Sequence, residues 1–170
     1  MDVSMVVSRL VHIFSGVVWV GAIWSMAMFI GPTARAVGAD GQKFMQHFIM
    51  RSSLQRVLTT VGILTVASGL FIYYRLFGGL ANLNTGNGLA LTVGGAAGLA
   101  ALVVGIQTGG IINRMRAISG EVAKAGVPPN PEQSAELAKL QEGMAIRGAV
   151  NAILMAVALA GMSLSEYFAF

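Results

Sequence analysis

Four long apolar stretches dominate this sequence, at residues 5–30, 54–77, 88–112 and 144–168. Each is long enough for a helix to cross the hydrocarbon core of a bilayer, which takes about 20 apolar residues. Only 11% of the residues are charged, against about 25% in soluble domains. Because hydrocarbon offers the backbone no hydrogen-bond partner, each stretch is expected to be helical. The sequence therefore predicts one all-α membrane domain over residues 1–170, a four-transmembrane-helix bundle.

The first connection is expected to contain a short helix that lies in the membrane interface. Gly31-Pro32 is expected to end the first span, since proline has no backbone N–H to donate. Asp40 is then expected to cap a helix. Apolar and polar residues fall on opposite sides of that helix, a pattern typical of interfacial helices: Phe44, Met45, Phe48 and Ile49 on one side, Gln42, Lys43 and Gln46 on the other.

The third connection predicts a helical hairpin in water. Charged residues continue the third span beyond Ile112, and Val127-Pro-Pro-Asn-Pro131 then interrupts the helix. Asn130 and Pro131 suit the N-cap and the first position of a second helix, which leads back to the membrane.

Lysine and arginine indicate how the chain is oriented. Nine of them lie in or beside the first and third connections: Arg35, Lys43, Arg51, Arg56, Arg114, Arg116, Lys124, Lys139 and Arg147. Only Arg9 and Arg75 lie on the other side. The positive-inside rule therefore predicts a cytoplasmic hairpin, with both termini outside. Because the cations separate apolar runs, the net charge of +4 indicates orientation and lipid contact, and no nucleic-acid partner.

The first span carries an unusual polar stripe. Residues three, four and seven apart share a helix face, which groups Arg9, His12, Ser15, Gly16 and Trp19. An ionisable group inside a membrane helix is costly and usually faces the bundle interior. Three roles stay open for the imidazole: a hydrogen bond to another helix, ligation of a metal or heme iron, or proton relay. The gap at Gly16 beside the indole also suits a flat porphyrin.

A heme on His12 needs its other contacts from the outer half of the bundle. His47 lies in the cytoplasmic connection, most of the roughly 30 Å hydrocarbon thickness away. Met162 on the fourth span lies at a depth comparable to that of His12, and a His/Met pair is a known heme ligation. Three further side chains complete the candidate site: Arg9 and Arg75 for the propionates, and Tyr73. The tyrosine equally fits an ordinary aromatic belt.

Small residues at helical spacing predict close packing between spans. They are Gly62, Thr65 and Gly69 on the second span, Gly94, Gly98, Gly105 and Gly109 on the third, and Gly148, Ala152, Ala156 and Ala160 on the fourth. A tight bundle without any cofactor accounts for these stripes equally well. Gln107 and Asn151 are expected to bond across helices.

Copper is the other metal that the sequence suggests. The chain has ten methionines, and the Met26-Ala-Met28 pair supplies thioethers that suit Cu(I). Residues two apart point to different helix faces, however, and methionine commonly fills apolar helices. The sequence contains no cysteine, no Ser/His/Asp set and no HExxH motif, so it points to no particular enzyme class.

The pattern of Arg9, His12, Trp19 and Gly21 resembles that of CopD-like copper-resistance membrane proteins and their four-span bacterial relatives. It is also similar to HemJ-type protoporphyrinogen oxidases, which bind heme b. The resemblance implies a multi-pass protein of the bacterial inner membrane, with His12 as a heme or metal ligand and Trp19 as its neighbour. HemJ-type proteins also rely on a lysine in a membrane helix. This chain has none in its spans, which speaks against that enzyme activity.

Three functions are therefore expected as alternatives. The first is a heme b-binding membrane protein that transfers electrons or serves as a small subunit of a redox complex. The second is a cofactor-free structural subunit that packs against partner helices or a second copy of itself. The third is a copper-handling membrane protein.

Overall fold

The computed structural model describes residues 2–78 and 85–168, and nearly all of them are helical. The elements are α1 (Val3–Ser25), a π turn (Met26–Ile30), α2 (Gly31–Val37), α3 (Ala39–Arg51), α4 (Leu54–Phe77), α5 (Gly86–Ala125), α6 (Pro131–Leu164) and a 3-10 turn (Ser165–Tyr167). Four continuous helical segments are long and apolar enough to cross a membrane: Val3–Val37, Leu54–Phe77, Gly86–Ala125 and Pro131–Tyr167. The predicted four-helix membrane bundle is confirmed. Most of the uncharged turn expected between the second and third spans, at residues 79–84, lies outside the described residues.

The prediction that Gly31-Pro32 ends the first span is wrong. A π turn precedes this pair, with the Gly31 N–H donating to the carbonyl of Met26, and the helix continues to Val37. Pro32 is tolerated because it lies in the first turn of α2, where a missing N–H costs little. The helix ends after Val37 at Gly38, whose φ of 76° is a conformation that glycine adopts readily.

The predicted short helix is α3, but its start differs from the expectation. Gly38 precedes it, while Asp40 lies in the first turn and pairs with Lys43 at 3.1 Å. α3 then folds back closely on α2, since a Cβ at Gly41 would lie 1.9 Å from the carbonyl oxygen of Ala34. Glycine at position 41 is therefore required for this corner.

In the bundle α1 packs along α4, α4 along α5, and α5 along α6. One end holds the start of α1 and the end of α4, joined by an ion pair between Asp2 and Arg75. α5 begins at the same end, where the Tyr73 hydroxyl bonds the Thr92 hydroxyl at 2.8 Å. We refer to this end of the bundle as the His12 end.

The opposite end, the arginine end, holds α2, α3 and the hairpin. Arg116 of α5 donates to the carbonyl oxygens of Met50 and Ile49 in α3, at 2.9 and 3.2 Å. The hairpin forms as predicted: Asn130 and Gln133 form a reciprocal cap at the start of α6. Arg114 and Glu136 pair between the two long helices at 2.7 Å.

The backbones of α5 and α6 come close together at Gly94 and Gly161. A Cβ at Gly161 would lie 2.9 Å from the Cα of Gly94, and one at Gly94 would lie 3.1 Å from the carbonyl oxygen of Ala158. Gly105, expected on the same packing stripe, has nothing within 4 Å of a Cβ position. The stripe of small residues on α6 does not face a neighbouring span as expected, because Gly148, Ala156 and Ala160 are exposed.

We predict that Gly94→Leu destabilises the bundle, because the leucine side chain would overlap backbone atoms of α6. Overpacking typically costs about 1–3 kcal/mol. Gly95→Leu is the matched control, since the neighbouring glycine has nothing within 4 Å of a Cβ position. Thermal unfolding in detergent measures both variants, and equal stability of the two would contradict the crossing at Gly94.

Candidate functional site

A polar cluster of four side chains lies between α1 and α4: His12, Ser15, Thr65 and Ser68. The Ser15 hydroxyl donates to the carbonyl oxygen of Val11 in its own helix at 2.5 Å, so it accepts from the Thr65 hydroxyl at 2.8 Å. Back-bonding of this kind lets serine and threonine sit in a membrane helix without unpaired polar atoms. The cluster is thus a hydrogen-bonded link between two spans.

Within this cluster His12 contacts both the backbone and a side chain of α4. Its Nδ1 is 2.8 Å from the backbone carbonyl oxygen of Thr65, with the Ser68 hydroxyl at 3.4 Å. A carbonyl oxygen only accepts, so Nδ1 donates and a neutral ring keeps its lone pair on Nε2. Among the described residues, no hydrogen bond to Nε2 is found.

Gly69 of α4 makes room for this imidazole. A Cβ at position 69 would lie 2.8 Å from Cε1 of His12 and 3.1 Å from its Nδ1. The second-span stripe Gly62, Thr65 and Gly69 therefore packs against another span, as its spacing indicated, and that span is α1. Neither the contact of Gly69 with the ring nor the bond to the Thr65 carbonyl is visible from the sequence, because both depend on how the two helices are rotated.

The gap expected at Gly16 is filled. The methyl group of Thr65 lies 3.6 Å from a Cβ position at Gly16. Trp19 is 3% exposed and belongs to the bundle core with Ala101 and Met155. Its indole lies against Gly62, where a Cβ would be 3.1 Å away. A porphyrin does not fit on this face of α1, because α4 already occupies it.

The side chains expected to contact a heme at this end have other partners or none. The Arg75 guanidinium pairs with Asp2 and lies over the ring of Phe71, 5.9 Å from its centroid. Arg9 is exposed and forms no ion pair within the described ranges 2–78 and 85–168. Tyr73 bonds α5, as described above.

Asp2 also caps α1, accepting from the backbone N–H groups of Ser4 and Met5. The pKa of this carboxyl is lowered chiefly by the hydrogen bond from the Ser4 hydroxyl, and the backbone N–H groups and Arg75 lower it further. Desolvation of the carboxyl opposes the shift. Arg75 at the end of α4 is thus paired with a carboxylate whose lowered pKa favours its charged form.

The hydrogen bonds of His12 go to α4, and the backbone of Met162 packs against Gly94 of α5. Ligation of one iron by His12 and Met162 stays a prediction. His47 is exposed on α3 at the opposite end of the bundle. Within residues 2–78 and 85–168, no group of three or more histidine, cysteine or acidic side chains is placed to hold a metal.

The methionine pair suggested for copper lies in the π turn, and Met28 is 58% exposed. Copper binding stays a prediction.

The sequence did not indicate one further link between helices. The Trp24 indole donates to the carbonyl oxygen of Ala152 at 3.2 Å, which ties α1 to α6.

Comparisons with family models, with curated proteins and with solved structures find no match to this chain. The resemblance to CopD-like and HemJ-type membrane proteins therefore stays a prediction from the sequence.

We predict that Gly69→Val destabilises the bundle by displacing His12, at a cost of about 1–3 kcal/mol as for other overpacked sites. Ala67→Val is the matched control, because Ala67 is exposed on the same helix. Unfolding in detergent compares the two. A Gly69→Val protein as stable as the control would show that the imidazole does not lie against α4.

Proposed function

We propose that this chain is a heme b-binding protein of the bacterial inner membrane, with His12 as an axial ligand through Nε2. It transfers electrons or serves as a small subunit of a membrane redox complex. One observation carries the proposal: the imidazole donates from Nδ1 to the Thr65 carbonyl and keeps Nε2 available.

Histidines that bind metals usually donate their other ring N–H to a carbonyl or carboxylate, which fixes the ring and raises the basicity of the ligand. Thr65 fills that role here at 2.8 Å. Nε2 would otherwise be a polar atom at membrane depth without a protein partner, which costs free energy in an apolar environment. An iron at Nε2 would satisfy it.

The geometry suits His12 as a heme ligand, but it does not suit every residue that the sequence placed around the heme. Gly16 and Trp19 face α4 and the core, so the porphyrin would lie on another side of His12. Arg9, exposed one turn away on α1, is the side chain available to a propionate. Bound heme would supply one-electron redox chemistry, while Thr65 and Gly69 orient the imidazole.

A cofactor-free structural subunit is the second proposal, and a different observation favours it. The residues of the His12 stripe are used in helix packing, with the Thr65 methyl beside Gly16 and Trp19 beside Gly62. The opposite face of α1 is apolar and exposed, including Phe14 at 71% and Val17 at 68%. Such a face contacts lipid or a partner helix, and His12 would then serve only to bind α4.

We predict that purified wild-type protein shows a heme Soret band and that His12→Ala loses or shifts it, because the axial ligand is removed. His47→Ala is the matched control, since that histidine lies at the opposite end of the bundle. Heme-to-protein ratios, measured after expression with equal heme supply, compare the three proteins. His12→Met tests whether another ligand restores the band.

Loss of heme in His47→Ala with retention in His12→Ala would contradict the ligand assignment. A featureless spectrum for every protein, including wild type, would favour the structural-subunit proposal instead.

We also propose that both termini face the outside and that the arginine end is cytoplasmic, because nine of the eleven lysines and arginines lie in or beside the first and third connections. A periplasm-active reporter fused after Phe170 is expected to give signal, and one fused after Lys124 is expected to give none. The reverse result would invert the orientation.

A further inference from the structure

The corner between α3 and α4 collects positive charge that no carboxylate neutralises. Arg51 is the last residue of α3, and Arg56 lies in the first turn of α4, with two serines between the helices. Both arginines are exposed, and neither forms an ion pair or a hydrogen bond with any residue in the ranges 2–78 and 85–168. Arg116 of α5 adds a third cation, because its guanidinium contacts the carbonyl oxygen of Met50, next to Arg51. The corner is therefore a site of local positive charge.

A shallow surface groove of about 430 Å³ begins at this corner. It is lined by five residues of the start of α4, namely Ser53, Arg56, Val57, Thr60 and Val61. The volume is far above the about 10–15 Å³ that one water needs. The hydroxyl groups of Ser53 and Thr60 form no hydrogen bond with any described residue. The groove thus offers a guanidinium and two hydroxyl groups to a molecule at the surface.

The groove continues into an apolar face of α4. Val61 follows Val57 by four residues and Leu64 follows it by seven, so the three side chains share one side of the helix. Val57 is 44% exposed and Leu64 is 45% exposed. This side runs into the membrane span Leu54–Phe77. The surface therefore has a cation at the end of the span and apolar side chains along it, which matches the charged headgroup and acyl chains of a lipid.

We propose that this groove binds the phosphate of an anionic phospholipid, with Arg56 as its main ligand. The guanidinium fork pairs with two phosphate oxygens, and the Ser53 hydroxyl donates a further hydrogen bond. One acyl chain lies along Val57 and Leu64. This site is at the opposite end of the bundle from His12 and does not depend on any heme.

Charge complementarity selects an anionic lipid over a zwitterionic one. Arg51 and Arg116 raise the positive potential around the groove, and basic residues beside a membrane attract anionic headgroups. A choline headgroup would bring its own cation close to these two arginines, whereas a glycerol headgroup brings none. A free inorganic anion would contact only the polar part of the groove and would leave the apolar face unused.

The test measures lipid binding to the full-length protein in a neutral detergent by native mass spectrometry. Phosphatidylglycerol is titrated, and phosphatidylcholine with the same acyl chains is the comparison. We expect one phosphatidylglycerol to bind saturably, about tenfold more tightly than phosphatidylcholine. Arg56→Gln is expected to weaken the apparent Kd for phosphatidylglycerol about tenfold, the equivalent of about 1.4 kcal/mol. Lys124→Gln is the matched control, because it removes one positive charge from the exposed end of α5, outside the groove.

A second pair of variants blocks the groove without changing the charge. Thr60→Trp is expected to weaken phosphatidylglycerol binding at least as much as Arg56→Gln, because the indole would occupy the groove. Ala67→Trp is expected to leave binding unchanged, since Ala67 lies seven residues later on the same side of α4, is exposed and is outside the groove wall. Circular dichroism and thermal unfolding check that all four variants are folded.

Each of four results would overturn the proposal. Equal apparent Kd values for the two lipids would show general contact with the bilayer. Equal weakening in Arg56→Gln and Lys124→Gln would show that only the net charge matters. Displacement of the lipid by inorganic phosphate at constant ionic strength would assign the corner to a free anion. Binding of laurate as tight as that of phosphatidylglycerol would assign the groove to a carboxylate amphiphile.

Discussion

The structure depends on one constraint: inside hydrocarbon, every polar group must find its partner within the bundle. Ser15 and Ser68 meet this by donating to carbonyl oxygens of their own helices, and Thr65 meets it by donating to the Ser15 hydroxyl. His12 meets half of it, because Nδ1 is bonded while Nε2 has no hydrogen bond to any described residue. Within residues 2–78 and 85–168, the buried Oδ1 atoms of Asn87 and Asn151 also have no partner. The proposed heme ligation rests on Nε2 of His12, since ionisable groups inside membrane helices are costly and are often functional.

Glycine serves three different purposes in this bundle. At Gly94 and Gly161 it lets the backbones of α5 and α6 meet. At Gly62 and Gly69 it receives a large ring from α1, an indole in one case and an imidazole in the other. At Gly105 it leaves space that no side chain fills. The same residue type therefore allows close backbone contact, makes room for a ring or leaves a cavity, depending on which side chain the neighbouring helix places there.

Trp19 connects the His12 end of the bundle to its interior. It follows His12 by seven residues, a rise of about 10.5 Å along α1. Its indole is buried in the core and also lines a cavity of about 80 Å³ toward the arginine end. The α1 helix thus carries both the imidazole at one end of the bundle and a wall of the cavity toward the other, and the packing of Trp19 against Gly62 sets their relative position.

The sequence alone determined the spans, the hairpin and the concentration of cations at one end, because these follow from local composition and from helix-terminating residues. It also determined that His12 lies inside a span. Only the tertiary structure decided that Pro32 lies within a continued helix, that Gly105 opens a cavity, and that Thr65 fills the gap at Gly16. Those outcomes depend on the rotation and depth of each helix against its neighbours. Several rotations bury nearly the same apolar surface, so a periodic pattern of small residues cannot choose between them.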